Sequence, residues 1–236
     1  MESLFSWERL VTVFPQIIKY LPVTLKMVVI AEVFGVILGI LIAIVRINKI
    51  PVLSQIYSVF ISFMRGTPIL VQLLVVFYGF PVLLQGVFGI DINRWEKINF
   101  VYVALALNES AFLAEIFRSS ILAIPVGQTE ASLSVGLTRF QTFQRIILPQ
   151  VIRIALPSYG VALVNLIQST SLAYMIGVID LMGRAVTVGL SSRHYFECYI
   201  VVTVVYVIFS LTIKQIFQMV ERKLTYGRKE IAKASF

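Results

Sequence analysis

The chain has 236 residues, 58% of them hydrophobic and 14% charged, with a formal net charge of +8 and a mean hydropathy of +0.91; that composition excludes an ordinary soluble domain. One cysteine, Cys198, and one histidine, His194, exclude an internal disulfide framework and a multi-cysteine metal site. In a chain this apolar the excess of Lys and Arg reads as loops held on the cytoplasmic side, not as a nucleic-acid surface.

In chain order, residues 1–22, with Trp7, Phe14 and Pro15, read as an interfacial segment outside the membrane. The first apolar block, 23–45, carries only Lys26 and Glu32. Its Val, Ile, Leu and Phe residues each favour insertion by roughly 0.3–0.6 kcal/mol, which outweighs the ~3 kcal/mol cost of one central acid. No small-residue cleavage site follows it, so it is expected to be a retained anchor. The second block, 51–86, has one internal charge, Arg65. Pro51 to Met64 would reach only about 21 Å as a helix, short of a ~30 Å core, so one span is expected, broken near Arg65-Gly66-Thr67-Pro68. Further spans follow at 98–117, 151–180 and 195–214, and a basic tail at 216–236.

Lipid leaves backbone amides no partner outside a helix, so the fold class is an all-α integral membrane protein with five transmembrane helices. Five spans put the termini on opposite sides. Twelve Lys and Arg flank the C-terminal side and seven the other, which places the C-terminus in the cytoplasm and the N-terminus outside.

The one long inner loop, 118–150, contains Glu130-Ala131-Ser132, Gly136 and Ile146-Ile147-Leu148-Pro149. It reads as two short helices around a glycine. Gln128 or Thr129 is expected to start the first, Gly136 to end it in a left-handed turn, Thr138 to cap the second and Pro149 to stop it. Ala131, Ser132 and Ser134 are small enough for such a stub to enter a cleft on another protein; a loop that merely joins two spans is the plain alternative.

The loop resembles the "EAA" coupling motif of bacterial ABC importer permeases, with Ser132 in place of the second alanine. Arg65-Gly66-Thr67-Pro68-Ile69-Leu70-Val71-Gln72, Ala114-Glu115-Ile116-Phe117-Arg118 and Ser169-Thr170-Ser171-Leu172 look like signatures of the polar-amino-acid branch of that family. The resemblance covers roughly 20–215 and implies the type I importer permease fold. It implies that Glu130, Ala131, Ser132, Gly136 and Leu137 form a coupling helix seated in a cytoplasmic ATP-binding subunit. The other implied partners are a second ATP-binding subunit, a second permease subunit, identical or homologous, and an extracytoplasmic solute-binding protein that delivers an amino acid. The bacterial cytoplasmic (inner) membrane is the implied location.

No Gly-x-x-x-x-Gly-Lys segment occurs, and no Gly-Lys pair. The chain is therefore expected to be a transport subunit and not an enzyme, with no cofactor of its own, ATP and Mg²⁺ being bound by the partner. Polar groups at mid-bilayer must face another helix or a watery path. Asn165, Gln168, Ser169, Thr170 and Ser171 in the fourth span are read as either interhelical glue or a substrate route. Arg65, Thr67, Gln72, Asn108 and Glu109 complete the candidate path, Arg65 either binding a carboxylate or tying helices together. Glu115 and Arg118 are expected to pair locally, and His194 to be a solvated loop residue. The family often carries charged residues near positions 162, 168 and 169, where this chain has Ala162, Gln168 and Ser169. That favours a neutral or sulfur-containing amino acid such as cystine over a basic or acidic one. A secondary transporter or channel would leave the glycine-split loop without a use and would commonly show an internal repeat, which is not seen; an intramembrane hydrolase has no histidine at the right depth.

Overall fold

A computed structural model describes residues 5–234, with side chains for 5–224. Residues 1–4 of the expected N-terminal segment, residues 235–236, and the tail side chains Arg228, Lys229 and Lys233 lie outside the described residues. The described chain is helical from end to end, and five of its helices are long and apolar enough to cross a membrane.

Helix α1 (Trp7–Ile18) leads into α2 (Leu21–Ile47), the first long apolar helix. Helix α2 lies against α6 (Lys97–Leu122) in the most extensive helix pairing of the molecule. The reason is local: Gly35 and Gly39, four apart on α2, face Ala106, Ser110 and Ala114 on α6, so the two backbones approach closely. A Cβ at Gly39 would lie 2.9 Å from Leu113 Cβ and 3.2 Å from the Ala114 amide nitrogen.

The expected second span is two helices. Helix α3 (Leu53–Gly66) ends where Thr67 turns extended, at φ −117° and ψ 147°, because the ring of Pro68 disfavours helical geometry in the residue before it. Helix α4 (Ile69–Leu74), a π turn (Val75–Gly79) and α5 (Phe80–Phe88) then form one continuous stretch. The membrane-length helix is Ile69–Phe88, so the expected boundaries 51–86 are corrected: α3 is a separate helix of 14 residues, too short to cross.

After α6 come the helices of the 118–150 loop, α7 (Val126–Ser134) and α8 (Arg139–Thr142), then a π turn (Phe143–Ile147), α9 (Leu148–Ser169) and a 3₁₀ segment (Thr170–Ile176). Helix α10 (Leu181–Ser192) was not anticipated; α11 (Tyr195–Ala234) runs well past the expected end at 214. Asp180 caps α10: its Oδ1 accepts from the Gly183 amide at 2.8 Å and its Oδ2 from Thr24 Oγ1 at 3.4 Å, tying α10 to α2. Burial pushes this carboxyl above its ordinary range, and the Gly183 and Thr24 hydrogen bonds oppose that.

Two cores result. The central one joins α2, α4, α6, α9 and the 3₁₀ segment through Met27, Leu73, Val101, Leu105, Leu166 and Ala173. The second packs α1 onto α10 and α11 through Val13, Ile17, Leu181, Ala185 and Cys198. The inner face of α1 is thus core, with Ile17 fully buried, while Trp7, Val11 and Phe14 remain exposed. His194 is half-buried, and its Nδ1 accepts from Arg9 Nη1 at 3.2 Å. It is therefore a contact between α1 and the α10–α11 turn, correcting the expectation of a solvated loop residue.

Candidate functional site

Two sites are built by this frame, one at the 118–150 loop and one among the spans. In the loop, α7 begins at Val126, earlier than Gln128 or Thr129. Pro125 starts it: the ring fixes φ near the helical value and its carbonyl accepts from the Gln128 amide at 3.0 Å. The helix ends as expected. Gly136 has φ +86°, the Gly136 amide donates to Leu133 O at 3.0 Å, and the Leu137 amide donates to Ser132 O at 3.2 Å, the paired bonds of a Schellman turn. Thr138 caps α8 in a reciprocal box with Gln141.

Pro149 does not stop the second helix. The missing amide and the ring are accommodated by the preceding π turn, in which the Leu148 amide donates to Phe143 O, and Pro149 then occupies the first turn of α9, where no donor is needed.

Ser132 points inward. It is 6% exposed, and its Oγ donates to Thr129 O at 2.8 Å and lies 3.0 Å from Thr142 Oγ1, so the oxygen absent from alanine clamps α7 to α8. As a docking surface Ser132 is therefore corrected to a framework residue. Glu130, Ala131 and Gly136 are exposed and Leu137 half-buried. Around them Val126, Leu133, Val135, Phe140 and Phe143 present an apolar surface, with Val135 78% exposed. Ile124, Ile147 and Val151 form a small core that seats this hairpin between the ends of α6 and α9. Just above it, Glu115 receives Arg118 Nη2 at 2.5 Å and Arg46 Nη1 at 2.5 Å. The Glu115–Arg118 pair was legible in the sequence; its bond to α2 through Arg46 was not.

Among the spans, the candidate path residues divide. Thr67, Asn108, Glu109, Asn165 and Ser169 line one cleft of about 180 Å³ between α3, α4, α6 and α9. Gln72 stands behind it: its Nε2 donates to Met64 O, Thr67 O and Thr67 Oγ1, and its Oε1 accepts from Asn108 Nδ2 at 2.8 Å. Gln168 and Ser171 open instead into a different groove with Thr203, Tyr206 and Ser210 of α11. Thr170 faces neither. It is fully buried, donating to Ile167 O at 2.7 Å and lying 3.3 Å from the Tyr206 hydroxyl, so it is corrected from path to packing. Arg65 is exposed, its guanidinium 5.6 Å from the centre of the Phe112 ring; it contacts an aromatic ring rather than an acid.

Sequence reasoning missed Glu32 as a contact. It accepts a hydrogen bond from Tyr159 on α9, and a Cβ on Gly35, one turn along α2, would lie 3.0 Å from Glu109 Cγ. Both acids thus belong to the α2–α6–α9 junction. The signal was present: an acid in the first span followed by glycines four apart.

With this geometry in place, residues 35–226 match the family described as binding-protein-dependent transport system inner membrane component. The chain is 38% identical over 231 residues to the L-cystine transport system permease protein TcyL of Bacillus subtilis, covering 98% of this chain and 96% of that one. It is 38% identical over 226 residues to a probable amino-acid ABC transporter permease protein, PatM, of Vibrio harveyi, covering 95% and 99%. Among solved structures it superposes on an amino acid ABC transporter crystallised with histidines at a TM-score of 0.80, with 32% identity, covering 93% of this chain and 99% of that one.

Proposed function

We infer the finer points of function from one premise: the chain belongs to the binding-protein-dependent transport system inner membrane component family. It is a membrane-embedded permease of an ABC importer for amino acids, a transport component and not an enzyme. We propose that α7 and the Gly136 turn are its coupling element, docking into a cytoplasmic ATP-binding subunit that carries ATP and Mg²⁺. The observation that carries this is the clamped hairpin itself, rigid inside through Ser132, Thr142 and the capping box, and apolar outside at Val135 and Phe140. A loop that only joined two spans would have no reason to expose that surface to water.

In this reading the C-terminus lies in the cytoplasm of a bacterium and the N-terminus outside. Two such permease subunits stand side by side on a pair of ATP-binding subunits, and an extracytoplasmic binding protein delivers the solute. The transported solute is a neutral or sulfur-containing amino acid, cystine being the favoured example. Uncharged Ala162 and Ser169 at the cleft support this, as does the likeness to a cystine permease. Thr67, Asn108, Glu109, Asn165 and Ser169 line its route.

Thiol cross-linking tests the docking. Cys198 is fully buried, so a single introduced thiol reports on its own position. Val135→Cys should cross-link to a co-expressed ATP-binding subunit, and Val87→Cys, 69% exposed at the end of α5, should not. The reverse pattern would refute both the docking and the orientation.

A further inference from the structure

Glu109 lies near the middle of α6 and is 3% exposed, and its Oε1 has no hydrogen-bond partner. An acid left in this condition at membrane depth needs a counter-charge, a proton or a ligand. Among the described residues no fixed cation supplies it: Arg46 and Arg118 are bound to Glu115, and Arg65 sits over the Phe112 ring. Glu32, on the facing side of α2, adds a second acid to the junction and is itself held by Tyr159.

The cleft that Glu109 lines is rich in acceptors. Ser169 Oγ donates its proton to Asn165 O, so toward a ligand it can act only as an acceptor; Thr67 Oγ1 donates to Phe63 O and accepts from Gln72 Nε2, which leaves it no proton to give and one further acceptor position. Asn108 has an amide proton committed to Gln72. A small cleft bearing one carboxyl and several oxygen acceptors complements a group that is cationic, compact and donor-only, and a primary ammonium, with three donors and no acceptor, is such a group.

We propose that Glu109 is the counter-charge for the ammonium group of the transported amino acid, held in the cleft between Thr67, Asn108, Asn165 and Ser169. The assignment rests on the amino-acid importer reading and adds to it the atom of the substrate that is recognised within the membrane. At about 180 Å³ the cleft takes the backbone end of an amino acid, leaving a long side chain to extend out of it.

The test uses the permease purified with its ATP-binding subunit and without the solute-binding protein, which would otherwise select for the ammonium itself. Ligand-observed saturation-transfer NMR is run with ethylammonium, L-alanine and propionate. The wild type is expected to bind ethylammonium and L-alanine but not propionate. Glu109→Gln should weaken both amines by at least roughly tenfold, the scale of a lost hydrogen bond to a charged group, and Glu109→Asp should retain part of the binding. Should Glu109→Gln fail to elute as a folded complex, Asn165→Ala, on the exposed wall of the cleft, should weaken the amines in its place. Amines that bind these variants as they bind the wild type, or a wild type that binds no amine, would overturn the proposal and leave Glu109 as a neutral acid holding helices together. Uptake of labelled amino acids by the same complex in vesicles, with the binding protein added, reports separately on the importer reading. Uptake without amine binding sinks the Glu109 assignment alone, and no uptake sinks the importer reading.

Discussion

Gly136 and Ser132 lie in the same loop and make different demands on it. At φ +86°, Gly136 holds a conformation that costs a residue with a Cβ about 1–2 kcal/mol, although nothing lies within 4 Å of the place its Cβ would take. Gly136→Val is therefore expected to loosen the turn without disturbing the spans. The protein should insert and purify normally, while the amount of solute imported per ATP hydrolysed falls. Unchanged coupling would detach the turn from energy transfer. Ser132→Ala should act differently, removing the bond to Thr142 Oγ1 and lowering stability by about 1 kcal/mol, seen as a lower midpoint of thermal unfolding in detergent. The sequence placed both residues in the right element but misjudged Ser132, because a helix of 9 residues can turn any one face inward and only the neighbouring helix decides which.

At the scale of elements, the pairing of α2 with α6 holds the permease together. Gly39→Ala brings a methyl within 2.9 Å of Leu113 Cβ and 3.2 Å of the α6 backbone, and the backbone cannot move aside locally. A loss of about 1–3 kcal/mol is expected, whereas Gly66→Ala, with nothing within 4 Å, should leave the melting midpoint nearly unchanged. Equal effects would refute the close-packing account. The Arg46–Glu115–Arg118 cluster joins the same two helices at the end next to the α7–α8 hairpin, its side chains 19–26% exposed. A double-mutant cycle between Arg46→Gln and Glu115→Gln should show a coupling of about 1 kcal/mol, and additive losses would mean the pair contributes nothing.

Hydrophobic run length made the long crossings legible, and the Thr67–Pro68 break followed from proline sterics. Helix α10 was hidden because its apolar face is short; it packs against α11, the next helix in the chain, and against α1, at the far N-terminal end, a long-range partner that a local pattern does not reveal. The Pro149 stop failed because a π turn absorbs what a regular helix cannot. In the candidate cleft, the polar residues could be named from their depth alone, but α9 and the 3₁₀ segment that continues it send Asn165 and Ser169 to one side and Gln168 and Ser171 to the other. That division follows from helix rotation, which no single apolar span encodes.

As a whole, the molecule is a set of spans that leaves much apolar surface open, from Val29 and Phe34 on α2 to Val207 and Leu211 on α11. That surface suits lipid, and one end of the molecule carries the clamped hairpin. The central claim is that motion enters through this hairpin from a separate nucleotide-hydrolysing subunit. Amino-acid uptake into sealed vesicles tests it most directly, comparing this chain alone with this chain plus an ATP-binding subunit and a binding protein, each with and without ATP. Accumulation is expected only when all components and ATP are present. Accumulation by this chain alone, without nucleotide, would contradict the account.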